Sequence, residues 1–112
     1  MTLIQYLCQL LSEECGEIIQ RASKLSRFGA DEVQSNQELD NFERLRAEKV
    51  DLMVVYNLLL QATGRQDECV SFSHDERIKK EQKLLTFTRY SVKCGAISEG
   101  VYRELKDIML LD

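Results

Sequence analysis

Apolar residues return every three or four positions along nearly the whole chain, in runs long enough for helices rather than strands. In the first run Leu3, Leu7, Leu10, Leu11, Ile18 and Leu25 project within about 60° of one direction at about 100° per residue. Thr2 can cap that helix, which is expected to continue to about Arg27 and stop at Gly29. A second stripe, Leu45, Leu52, Val55, Leu59 and Ala62, follows Asp40 or Asn41 as cap and ends before Gly64. Its latter half, LMVVYNLLL, is apolar nearly all round, which predicts a central position covered on several sides. Ser73 can cap a third helix carrying Ile78, Leu84, Leu85 and Phe87 and closing near Cys94 and Gly95. Ser98 can cap a short fourth with Val101, Tyr102, Leu105, Ile108 and Met109. Residues 29–40, GADEVQSNQELD, lack a stripe and read as a loop able to cover a ligand, and Gly64 to Phe72 as a polar connection. The predicted fold class is all-α: one domain over 1–112, a bundle of about four helices whose core is completed by oligomerisation.

Acidic residues interrupt two of these stripes. Glu14 and Glu17 fall in the apolar sector of the first helix, and Glu48 and Asp51 in that of the second, where leucine or valine would be ordinary. Four carboxylates are therefore expected to converge indoors. An ionised carboxylate in an apolar setting costs several kcal/mol unless neutralised, and neighbouring like charges add to that. A bound cation resolves the conflict, and an all-oxygen donor set favours Mg²⁺, with Mn²⁺ as the alternative, over Zn²⁺. The competing reading of either pair alone is a solvated helix face. Gly16, beside the first pair, is either tolerated mid-helix or marks a close approach of a neighbouring backbone. Arg21 lies in the same stripe, where it can pair with Glu17 by i+4.

Composition narrows the partners. The 112 residues carry a formal charge of −4 and no dense basic patch, which argues against a nucleic-acid polymer or an acidic membrane surface. An anionic substrate is then acceptable only where a metal and local Lys or Arg reverse the field. The four cysteines have no C-x-x-C spacing and are expected to be reduced and mostly buried. Neither a signal peptide nor a membrane span is indicated, so a cytoplasmic setting is expected. His74, the single histidine, sits beside a cap and reads as a surface residue, and no Glu-x-x-His motif supports a ferritin-like di-iron site.

With E-E-C-G-E at 13–17, K-L-S-R-F-G at 24–29 and E-K-V-D at 48–51, the chain resembles the MazG-like all-α nucleoside triphosphate pyrophosphohydrolases. Their hallmark is E-E-x-x-E followed by E-x-x-D. The resemblance covers roughly residues 1–62, with a slightly long gap from Glu17 to Glu48, and the last fifty residues match only as generic helices. It implies cleavage of a nucleoside triphosphate between the α and β phosphates, with Glu14, Glu17, Glu48 and Asp51 holding Mg²⁺. It also implies homodimers or homotetramers, and roles in nucleotide-pool housecleaning. Glu13 is then the candidate outer ligand or general base, alongside Glu14 as a catalytic residue. Lys24 and Arg27 read either as grips for the β and γ phosphates or as surface cations near a helix C-terminus. Lys79, Lys80 and Lys83 are either a solvated face or further phosphate contacts. Tyr56, Phe28 and Phe42 either stack on the base or belong to the core. The rival from another class is a non-catalytic helical interaction module whose acidic pairs form a structural divalent-cation site.

Overall fold

In a computed structural model, which describes residues 1–71 and 73–109, the chain forms four α-helices. Helix α1 spans Leu3–Phe28, α2 Asn41–Ala62, α3 His74–Lys93 and α4 Glu99–Ile108, with a 3-10 turn at Gln66–Glu68. Phe72, the last residue of the expected polar connection, lies outside the described residues, as do residues 110–112 of the expected single domain. No strand occurs among the described residues, and no helix there is long and apolar enough to cross a membrane.

The caps are those the sequence points to. Thr2 and Gln5 form a reciprocal capping box on α1, and Asp40 and Glu43 another on α2, each satisfying two otherwise orphaned N–H groups. The Oγ atoms of Ser73 and Ser98 accept from the N–H of Glu76 and Val101 at the starts of α3 and α4. α3 is followed, after its cap Cys94, by Gly95, whose φ of 79° is a left-handed conformation that glycine adopts without strain.

Helices α1 and α2 run antiparallel, and the four-helix core occupies only one end of that pair. Leu3, Tyr6, Leu7 and Leu10 of α1 meet Val54, Val55 and Leu58 of α2, Leu84 of α3, and Ile97, Val101 and Leu105 at and within α4. Past Leu11 on α1, and before Val50 on α2, the two helices contribute no fully buried apolar side chain to this core. There Ile19 is 69% exposed, and Phe28 and Phe42 also stand open. The 29–40 loop folds back on the start of α2: Asn41 Nδ2 donates to the Gly29 carbonyl at 2.8 Å, and Arg44 Nη1 donates to Gln34 Oε1 at 3.0 Å.

Two polar contacts lock the bundle. Buried Asn57 holds the connection onto α2, donating to the Val70 carbonyl at 2.7 Å and accepting from its N–H at 2.9 Å. The Tyr6 and Thr88 hydroxyls, both buried, are 2.6 Å apart and tie α1 to α3. Tyr6→Phe leaves the Thr88 hydroxyl without this partner and is expected to cost about 1–2 kcal/mol. Urea denaturation reads the loss, and adding Thr88→Val should recover part of it; a fully additive loss would show that the two hydroxyls do not interact.

Several expectations about individual residues are corrected. Cys8, Cys15 and Cys94 are exposed and Cys69 half-buried, all four free, because the three exposed thiols sit off the covered stripes or beyond a helix end. A Cβ at Gly16 would have nothing within 4 Å, so no backbone approaches there. Phe87, expected in the third stripe, is exposed.

Candidate functional site

The acidic residues sit where the core stops. Glu14 follows Leu10 and Leu11 by one turn, while Glu48 and Asp51 precede Val54 and Val55, so the antiparallel pairing of α1 and α2 brings them to one level. One carboxylate oxygen from each of Glu14, Glu48 and Asp51 lies within 4.8 Å of the others, and all three residues are half-buried. The fourth expected member is different: Glu17 is exposed and outside this group. At its level only α2 covers α1, so a position 60° off the centre of the stripe is left in water. Arg21 is buried, as its stripe position requires, but forms no ion pair with Glu17, and its Nη1 has no hydrogen-bond partner among the described residues.

A third helix supplies a cation. Lys80 of α3 is 8% exposed; its Nζ donates to Glu14 Oε1 at 2.7 Å and lies 3.6 Å from Asp51 Oδ2. The cluster is therefore three carboxylates and one ammonium, not carboxylates alone. Glu48 takes no part in these ion pairs, and its carboxyl is held above the ordinary range, first by burial and then by the charges of Asp51, Glu14 and Glu17. Asp51 is also raised, chiefly by burial, against the opposing pull of Lys80.

Raised carboxyl pKa values make the folded chain the better proton acceptor. Stability contributed by Glu48 and Asp51 should accordingly be greatest at acidic pH and fall as pH rises from the unfolded-chain values through the folded ones. The metal-free protein is expected to gain melting temperature from these groups as pH is lowered from neutrality toward the ordinary carboxylate range. Glu48→Gln should flatten that gain; an unchanged slope in the variant would remove Glu48 as its source.

Lys80 and Lys83 line both of two hollows beside the cluster. One is also walled by Leu10, Glu13, Glu14, Leu84 and Phe87. The other, of about 410 Å³, is also lined by Asp51, Arg46, Lys79, Glu43, Glu76 and Leu39. Four cations and three carboxylates line that second hollow, which gathers basic side chains beside the acidic cluster although the chain carries −4. Lys24 is half-buried on α1, and Arg27 is exposed with its guanidinium 5.3 Å from the Phe28 ring centre; neither lines either hollow. Glu13 is exposed on the wall it shares with Glu14.

The solvated-face reading of Lys80 is corrected by its burial, and the signal that marks it was present in the sequence. Lys80 falls about 40° from Leu84 on the helical projection, so the rule that places Glu14 and Glu48 on apolar stripes places Lys80 on one as well. Nothing in the local pattern singles out Arg46, which reaches the hollow only because α3 packs beside α2. A separate hollow of about 230 Å³ under the 64–71 connection shares no lining residue with these two, and the Asn57 amide on its wall is engaged by Val70. Comparison with models of known protein families, with curated proteins and with solved structures finds no match.

Proposed function

We propose that this chain is a divalent-ion-dependent nucleoside triphosphate pyrophosphohydrolase of the MazG-like kind, converting a (d)NTP and water into the (d)NMP and pyrophosphate. The observation that carries the reading is the juxtaposition of Glu14, Glu48 and Asp51 within 4.8 Å of one another with a hollow lined by Arg46, Lys79, Lys80 and Lys83. The donor atoms suit Mg²⁺ or Mn²⁺: three hard oxygens, two of them on carboxyls that burial above all holds above their ordinary range, so that a bound cation would favour their charged form. The chemistry such an ion supplies is neutralisation of phosphate charge and acidification of water. Glu14, Glu48 and Asp51 would hold it, with Glu17 near enough to act on Glu48 electrostatically. Lys80, Lys83, Lys79 and Arg46 bind the polyphosphate and screen it from the acidic surface, and their positions suit that task better than those of Lys24 and Arg27. Glu13, within the hollow beside Glu14, takes the proton of the attacking water as its oxygen bonds to the α-phosphorus and the bond to the bridging oxygen breaks.

Assembly of two or four copies belongs to the same proposal, as does a cytoplasmic role in nucleotide housecleaning. Ile19, Phe28 and Phe42 stand open on the arm that extends past the core, apolar surface that a neighbouring copy can cover. One observation favours a second reading: Lys80 already joins α1, α2 and α3 through Glu14 and Asp51, as in a helical interaction module with a structural ionic centre. Pyrophosphate release from a panel of NTPs and dNTPs, with and without Mg²⁺, separates them. Mg²⁺-dependent turnover supports the hydrolase; ion binding without turnover of any nucleotide supports the module.

A further inference from the structure

We propose that Phe87 is the platform on which the base of the nucleotide stacks, an inference that rests on the nucleotide reading above and assigns the base end of the same site. Its periodicity places Phe87 among core residues, yet the ring is 53% exposed while Leu84, one turn earlier, is buried. Exposure alone is unremarkable for an aromatic residue; its company is not. Phe87 lines the hollow that contains Glu14, Lys80 and Lys83, and a second, shallower hollow with Tyr90 continues from it along α3.

Helix geometry sets the spacing. Lys83 and Phe87 are four residues apart and share a face, so the ring lies about 6 Å along α3 from Lys83 and about 10 Å from Lys80. That interval accommodates a sugar between phosphates held by the two lysines and a base lying on the ring. The other candidate rings are placed differently. Phe28 and Phe42 each carry a guanidinium, of Arg27 and Arg46, with the charged carbon 5.3 and 5.2 Å from the ring centre. Tyr56 lines neither hollow. Stacking recognises a π-face present in every base, so this contact accepts purines and pyrimidines alike and favours the larger purines.

The chain has no tryptophan, so Phe87→Trp introduces a single indole at the site without a background signal. The test titrates this variant, Phe87→Ala and the unaltered chain with nucleoside triphosphates and with inorganic tripolyphosphate, each with Mg²⁺. Nucleotides are expected to quench the indole while tripolyphosphate does not. Phe87→Ala should weaken nucleotide binding about 5- to 100-fold and leave tripolyphosphate binding within about twofold. Nucleotide binding that leaves the indole unaffected, or an alanine variant that weakens both ligands equally, overturns the platform while the nucleotide reading stands. Emission that responds to protein concentration but not to nucleotide reassigns the ring to an interface between copies and also overturns it. Failure of the unaltered chain to bind either ligand removes the nucleotide reading itself.

Discussion

Replacing Glu48 by glutamine is expected to lower kcat/KM for nucleotide hydrolysis by more than about 100-fold, beyond the 10- to 100-fold typical of residues that only support a metal ligand. The same change should leave the metal-free fold as stable as before, or more stable. These effects separate because of where Glu48 stands. It shares the three-oxygen cluster with Glu14 and Asp51, but Lys80 pairs with those two and not with it. Its charge is disfavoured by burial and by three neighbouring carboxylates, so a neutral amide of the same shape relieves repulsion and breaks no ion pair. Steady-state kinetics at varied Mg²⁺, with urea denaturation in its absence, tests both halves. Activity near that of the unaltered chain would mean that Glu48 holds no ion. A clear loss of metal-free stability would mean that its charge has a favourable partner.

Lys80→Met should act in the opposite sense on stability. The substitution keeps an unbranched side chain of similar length but removes the ammonium, leaving Glu14 and Asp51 without the cation 2.7 and 3.6 Å away. Breaking one side of a fully buried pair costs about 3–5 kcal/mol; Glu14 and Asp51 keep some access to water, so a loss of about 2–3 kcal/mol is expected. Divalent ions should then stabilise the variant more than the unaltered chain, since they supply the missing positive charge and no longer compete with an ammonium. Combining Lys80→Met with Glu48→Gln tests whether the residues share one electrostatic unit. The double variant should be more stable than the sum of the single effects predicts. Strict additivity, or a Lys80→Met protein as stable as its parent, would show that Lys80 is not the counter-ion of the cluster.

The order, limits and caps of the four helices were legible in the chain because they depend on local chemistry. Thr2, Asp40, Ser73 and Ser98 cap where short polar side chains precede an apolar period, and the 29–40 segment is a loop because it has no such period. Stripe position also identified Glu14, Glu48 and Asp51 as neighbours, since it fixes the direction of a side chain about its own helix axis.

Direction about an axis does not say what lies in that direction. Glu17 and Phe87 occupy stripe positions yet meet water, because α1 runs on past the end of the four-helix core and the Phe87 side of α3 is left uncovered. The placing of Lys80 among the acids, and of Arg46 and Lys83 beside them, followed from the packing of α3 against the α1 and α2 pair, a contact between residues up to 66 positions apart. Local periodicity thus determined which groups turn inward, and tertiary packing alone decided which of them are covered and which charge meets which. Helix direction arises from bonds a few residues apart, whereas burial and ion pairing depend on segments that only the folded chain brings together.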